Sequence, residues 1–354
     1  MSALHALPFL ALLAVVAPPA AGGVDGAGEP LTLAHVPRVG ERRTTAFVLD
    51  RALVAQRLVT RMGGDEQTSQ DQIEVSGRTS LRFAEEVREV EGARATVFRR
   101  TLEEAQARVD LRQATPGGKP RAHTIEASSP LTGASVLFRW IPARGEYGRL
   151  YDGLETSEEF LPRLAPSVDL AGLLPAGPVR AGDTWKPDAT RVAELFAPGG
   201  RLPMRFAKGA DPLLARTASL GVAGPLHEVF GGAVSGTIEA RLAAVEGDTA
   251  RIALVLDVRA EADQTALNRE RLTAPERYDG VRVSSARAVW SFRGEGELRW
   301  DVRAGRAEQL ALAGAEEIRL ELAMDGPQGA GGSDLTLSGA LKLSFDVRAG
   351  PNPR

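Results

Sequence analysis

From Ala286 to Val302 every second residue is apolar or glycine: Ala286, Ala288, Trp290, Phe292, Gly294, Gly296, Leu298, Trp300 and Val302, with only Val289 breaking the pattern of the other phase. Between them stand Arg287, Ser291, Arg293, Glu295, Glu297, Arg299 and Asp301. A period of two sorts the sets onto opposite faces of one extended strand, which no helix can do. At ~3.4 Å per residue this run is roughly 55 Å long, against an ordinary strand of ~20 Å. Strands of that length twist, so a sheet made of them must curve. Gly294 and Gly296 mark a bend or bulge within it.

Neighbouring runs repeat the pattern. Arg303-Ala304-Gly305-Arg306 is a turn signal. Leu310 and Leu312 follow, then Ile318, Leu320, Leu322 and Met324 alternating with Arg319 and Glu321. A Gly-rich loop is expected from Gly326 to Gly332, then Leu335, Leu337, Gly339, Leu341, Leu343, Phe345 and Val347 on one face. Upstream, Ile238, Ala240, Leu242 and Ala244 lead to Glu246-Gly247-Asp248, and Ala250, Ile252, Leu254, Leu256 and Val258 lead away. That is a hairpin with Gly placed for positive φ. Residues 233–348 therefore read as an antiparallel sheet with one apolar and one polar face. The Arg and Glu residues of the polar face read as a solvated surface, where cross-strand pairs are worth roughly 0.2–1 kcal/mol each.

The N-terminal half carries the same signals more weakly. Val75, Gly77, Thr79, Leu81 and Phe83 alternate towards Val90-Glu91-Gly92-Ala93-Arg94-Ala95, which parallels Val245-Glu246-Gly247-Asp248-Thr249-Ala250. Phe138-Arg139-Trp140 before Ala143-Arg144-Gly145 parallels Leu298-Arg299-Trp300 before Arg303-Ala304-Gly305. The offsets are 155 and 160 positions, in the same order. Two readings fit: an internal duplication, or coincidence between generic hairpins. Thr101–Gln113 has Leu102, Ala105 and Val109 at helical spacing, but its counterpart after Gly247 alternates, which favours strand.

The texture between the halves differs. Thr156-Ser157-Glu158-Glu159 opens a short helix, and Pro162, Pro166, Pro175 and Pro178 keep such helices short. Asp188 caps a second one that ends at Pro198-Gly199-Gly200. The expected fold class is mainly β. Long curved antiparallel sheets form two lobes, 31–151 and 226–350, with a connector of short helices over 152–225 that could cover an apolar face.

Residues 1–23 read as a signal peptide. The apolar run Phe9–Ala17 is shorter than the ~20 residues a membrane span needs. Small residues follow, placing cleavage near Ala21, although the start carries no Lys or Arg. No later stretch reads as an integral membrane span. Export to the periplasm or the extracellular space is expected. The chain has no Cys, so disulfides, thiolate metal sites, Cys nucleophiles and a lipidated N-terminal Cys are excluded. Lys+Arg 43 against Asp+Glu 46 leaves no basic excess, and nucleic acid is not an expected partner.

Leu174-Pro175-Ala176-Gly177-Pro178-Val179-Arg180-Ala181-Gly182-Asp183-Thr184-Trp185 is a distinctive phrase. It resembles a motif of an uncharacterised exported bacterial β-rich family: proline, a short spacer, then Val-x-x-Gly-Asp-Thr/Ser-Trp. The resemblance implies a β fold and export and supplies no activity and no site residue. Physically, Gly182-Asp183 suits a tight turn and Trp185 a packed anchor after it.

Catalytic signals are near misses. His227-Glu228-Val229-Phe230-Gly231 starts like a zinc-protease helix but has Gly where the second His ligand belongs. His123 and Glu126 could share a ligand only on a helix, in a region that reads as extended. The acidic neighbours Glu85-Glu86, Glu103-Glu104 and Glu316-Glu317 point to opposite faces of a strand and cannot form a dyad. No G-x-S-x-G elbow, Walker loop or dinucleotide glycine pattern is present. No catalytic, cofactor-binding or metal residue is assigned. The expected role is non-catalytic: binding, carriage or envelope structure, with an apolar ligand such as a lipid, or an envelope protein, as partner. The alternative is an exported hydrolase assembled from distant residues such as His123, Asp183, His227 and Glu228.

Overall fold

The computed structural model describes residues 29–350 except 64, 154–157, 167–169, 208–226, 273–281 and 328. The proposed signal peptide lies outside the described residues. The strands are β1 (Arg42–Met62), β2 (Asp65–Thr68), β3 (Gln72–Glu91), β4 (Arg94–Ala114), β5 (Arg121–Ser128), β6 (Ser135–Ile141) and β7 (Glu146–Tyr151). They continue as β8 (Thr184–Trp185), β9 (Arg205–Phe206), β10 (Ala233–Glu246), β11 (Thr249–Asp263), β12 (Arg282–Asp301), β13 (Arg306–Gly326) and β14 (Gly329–Ala349). All belong to one antiparallel sheet, in the order β7-β6-β4-β3-β1-β14-β13-β12-β11-β10-β8, which stays open rather than closing into a barrel. β2 adds to β1, β5 to β4, and β9 to β5.

The alternation predicted the strands and their inward faces. β12 spans 20 residues, with Ala288, Trp290, Phe292, Leu298 and Trp300 all buried. Thr101–Gln113 is strand, inside β4. One expectation needs correction: Gly329–Gly332 are not loop. They extend β14 against β13 from Gly326↔Gly329 to Ala323↔Gly332, because a glycine still offers its N–H and C=O to a ladder.

The two halves meet at β1 and β14, which pair from Arg43↔Ala349 to Met62↔Gly331. Across this seam the halves repeat one another. The β3–β4 turn pairs Val90↔Ala95 and Glu91↔Arg94; the β10–β11 turn pairs Val245↔Ala250 and Glu246↔Thr249. Gly92 (φ 59) and Gly247 (φ 61) take the same left-handed position. A bulge falls between Val87 and Glu89 in one hairpin and between Leu242 and Ala244 in the other. Gly40 N–H donates to Val87 O while Val87 N–H donates to Glu41 O; Gly182 N–H donates to Leu242 O while Leu242 N–H donates to Asp183 O. Bulges and edge entries are specific features that generic hairpins do not share in register. The halves are therefore a structural repeat, with β1, β3, β4, β6 and β7 matching β8, β10, β11, β12 and β13.

Glycines line up across neighbouring strands of the sheet. Gly339 of β14 lies opposite Leu53 and Glu316, and Gly314 of β13 lies opposite Gly294 of β12. A Cβ at Gly339 would run into the Ala52 carbonyl, and one at Gly314 into the Arg293 carbonyl. Adjacent backbones thus approach more closely than any side chain permits, which lets the sheet bend over its apolar face.

The connector covers that face. Short 3-10 turns at Glu158–Arg163, Ala171–Leu173 and Ala189–Arg191 run on to the helix Val192–Phe196. Asp188 accepts from Thr190 N–H at 2.8 Å, the cap expected of it. Leu161, Leu164, Leu170, Leu173, Val192, Leu195 and Phe196 are buried in the same core as the sheet residues.

Gly339→Ala should lower stability by about 1–3 kcal/mol through backbone overpacking. Gly177→Ala, where a Cβ meets open space, should stay within about 0.5 kcal/mol. Urea denaturation followed by tryptophan fluorescence compares them. Equal effects would show that the close approach at Gly339 is not needed.

Candidate functional site

Among the described residues, the inner face under the connector holds the buried charges. In β13 the inward phase runs Leu310, Leu312, Gly314, Glu316, Ile318, so Glu316 points into the core and is 2% exposed. Glu317 points outward, as the alternation required. In β1 the phase Phe47, Leu49, Arg51, Leu53 carries Arg51 inward. In β3 it carries Glu85 between Phe83 and Val87, and in β4 it carries Arg100 between Phe98 and Leu102.

These four residues form two clusters. In the first, Arg100 Nε and Nη2 donate to Glu85 Oε1 at 2.9 and 2.6 Å, and Arg43 Nε donates to Oε2 at 2.7 Å. Arg100 then reaches off the sheet. Its Nη1 donates to Ala165 O and its Nη2 to Pro166 O, both at 2.6 Å. The guanidinium lies within 5.0–5.6 Å of the Phe138, Phe83 and Phe98 ring centres. Nearby, Arg149 Nε donates to Leu164 O at 2.7 Å. Arginines of β4 and β7 thus hold the backbone of the connector onto the sheet. A cavity of about 20 Å³ beside Arg100, lined by Phe83, Leu131, Phe138, Leu164, Gly199 and Leu202 among others, is the size of one water rather than of a ligand.

In the second cluster Trp290 Nε1–H donates to Glu316 Oε1 at 2.6 Å, and Arg51 Nη2 lies 3.3 Å from the same oxygen. Glu316 Oε2 is buried without a hydrogen-bond partner among the described residues. Above this cluster the connector seals the face. Phe196 packs edge-on to Trp290 at 4.9 Å and to Phe292 at 5.1 Å, and Phe230 packs on Trp290 at 5.1 Å. Trp290 and Trp300 are 0% exposed.

The two carboxylates titrate in opposite senses. Burial pushes Glu85 up, but Arg43 and Arg100 outweigh it and hold the group below the ordinary glutamate range. Burial pushes Glu316 above that range, and Arg51 and Trp290 offset it only in part. Burial likewise lowers Arg51. Stability from Glu85 is present above its unfolded pKa and is lost as pH falls through the folded one. Stability linked to Glu316 is present below its unfolded pKa and is lost as pH rises through the raised folded one.

The residues weighed for hydrolysis are scattered. His123 is exposed on β5, which adds to β4, and Asp183 is exposed beside β8, at the far end of the strand order. Asp183 Oδ2 accepts from Arg180 N–H at 2.8 Å, the turn role its neighbour Gly182 (φ 95) implied. His227 and Glu228 open the short helix His227–Phe230. Trp185, half-buried, donates from Nε1 to Leu173 O at 2.8 Å and anchors the connector. The inward charges were missed by sequence reasoning, although a charged residue in phase with Leu, Phe and Ile neighbours was a readable signal.

No family model matches this chain, and no curated protein matches it. Among solved structures, an outer membrane channel from Pseudomonas putida F1 aligns at 6% identity over 91% of this chain and 100% of its own, with a TM-score of 0.22. The outer membrane protease OmpT from Escherichia coli aligns at 8% identity over 86% and 96%, with a TM-score of 0.15. Scores this low carry neither fold nor function across.

Glu85→Gln should cost about 3–5 kcal/mol at neutral pH, because it leaves the buried Arg100 without its countercharge. It should also weaken the loss of stability on acidification. Glu316→Gln keeps an acceptor for Trp290 and should flatten the fall in stability as pH rises. Urea midpoints measured between about pH 3 and 8 test both; parallel curves for wild type and Glu316→Gln would contradict the assignment.

Proposed function

We propose that this chain works outside the cytoplasm as a non-catalytic β scaffold of the envelope, acting through its surface and strand edges. One observation carries this reading: the apolar face is filled by the chain's own connector, down to the seal of Phe196 and Phe230 over Trp290. A face committed to a self-made core is a structural element. Function then falls to the outside of the sheet, where charged pairs such as Arg251–Glu297 at 2.7 Å and Arg287–Glu261 at 2.6 Å keep the surface soluble.

A second reading, carriage of an apolar ligand such as a lipid chain, has its own support. The cover is held to the sheet largely by side chains, including the Arg100 and Arg149 bonds to backbone carbonyls of 164–166. A cover attached in that way can lift without dismantling the sheet's ladders. An acyl chain would then take the place of Leu161, Leu164 and Phe196.

Protein recovered from the exported fraction separates the readings. Under the scaffold reading, native mass spectrometry shows no bound lipid and a fluorescent fatty acid is not taken up. Saturable uptake, raised by Arg100→Met, would replace the scaffold reading with carriage. The intact mass should show loss of a leader ending near Ala21; a mature chain retaining Met1 would remove the export premise.

A further inference from the structure

The repeat exposes a difference between the halves. In the first, β1 runs along β3 from Arg42↔Glu86 to Val54↔Glu74. In the second, the matching strand β8 meets β10 only at Trp185↔Ala240 and Thr184↔Arg241. The entries into the two slots are the same. Arg38 N–H donates to Glu41 Oε2 and Arg180 N–H to Asp183 Oδ2, and each chain then bonds the bulged partner strand in the same register. Two residues past the β8 ladder, at the position Thr45 occupies in β1, stands Pro187. It offers no N–H, and the chain leaves the sheet for the turn Ala189–Arg191. Beyond that point β10 pairs only with β11, from Ala233↔Glu261 to Thr237↔Asp257, among the described residues.

We infer that the edge of β10 at Ala233–Thr237, which has no second partner strand among the described residues, is a docking site for an extended segment of another envelope protein, added antiparallel as a further strand. The twin slot defines the chemistry of the occupant. There Thr45, Phe47 and Leu49 face inward, opposite Phe83, Leu81 and Thr79. The equivalent positions on β10 are Ile238, Gly236 and Val234, each 155 positions on. The incoming strand therefore carries apolar residues at alternate positions, with a large one over Gly236, which has no side chain of its own and is exposed. Val234 is half-buried, while Ser235 and Thr237 are exposed and face the polar side. Leu242 turns both backbone groups to the β8 side, so Val234 and Gly236, in the same phase, turn theirs to the open edge. Main-chain bonds supply affinity there and the alternate side chains supply selectivity. This deepens the scaffold reading by naming a partner class. The two fail separately, because lipid uptake would remove the scaffold reading without touching the edge.

The test uses the intact chain and, as probe, a synthetic peptide of residues 42–54, which already fits the twin slot. The absence of cysteine makes the chemistry clean. Ala46 lies opposite Arg82 in the first repeat, and the position equivalent to Arg82 is Thr237. Peptide carrying Ala46→Cys should form a disulfide with Thr237→Cys at least about fivefold faster than with Ser235→Cys, since directly opposed Cβ atoms lie within ~5.5 Å. Amide exchange at Val234 and Gly236 should slow on adding unmodified peptide. Val234→Pro, which an edge tolerates, should weaken binding about tenfold, a difference of ~1.4 kcal/mol, with an unchanged circular dichroism spectrum. Should that variant misfold, the register-dependent disulfide rate decides alone. Equal rates at the two cysteines, or protection confined to other strands, would overturn the inference.

Discussion

The ladder between β1 and β14 is the interaction on which the rest depends. It runs from Arg43↔Ala349 to Met62↔Gly331 and joins the first long strand of the chain to the last. Without the seam each half would be a short open meander with an apolar face larger than its own cover could hide. With it, Phe47 meets Phe345 at 5.0 Å, and one core runs through both halves. The contact joins the ends of the chain, so its loop-closure cost is high and the hairpins within each half are placed to form earlier.

Two of the inward charges, Arg51 and Glu316, sit where this seam meets the line of glycines. Arg51 is opposite Gly77 on one side and Leu341 on the other, and Glu316 is opposite Gly339 and Phe292. The missing side chains of Gly77 and Gly339 leave lateral room for a guanidinium and a carboxylate. A buried pair of this kind adds little net stability, because desolvation consumes most of the attraction. It does penalise misregister. A slip of one residue would move Arg51 to the solvent face and leave Glu316 buried alone. In long strands with repetitive aliphatic faces such a marker has more to contribute to register than to stability.

Much of this was legible in the residues, and the failures have physical causes. Trp290, Trp300, Leu341 and Phe345 announced their face because a period of two is local. Asp188, Gly182 and Gly247 announced a cap and two turns for the same reason. The order of strands was not legible, since β1 finds β14 across nearly the whole chain and nothing local encodes the meeting. Gly329–Gly332 looked like loop because glycine is uninformative about a ladder that its neighbours impose. Glu85, Arg51, Arg100 and Glu316 were legible in phase, yet a charge in a polar-looking sequence draws no notice until its neighbours at ±2 are read with it.

The repeat explains why the connector lies where it does. Both halves begin with the same turn and the same backbone bonds to a bulged strand, at Gly40–Glu41 and at Gly182–Asp183. From there the first half continues as a strand of 21 residues. The second meets Pro187 two residues past the end of its ladder and departs over the inner face, where Val192, Leu195 and Phe196 become cover. One copy thus supplies the seam and the other supplies part of the lid, from equivalent starting points. Pro187 favours the divergence, because proline removes the N–H that the next ladder bond would need. The strand that repeat two does not make and the cover that repeat one does not make are one event, and the edge of β10 left unpaired among the described residues is its consequence.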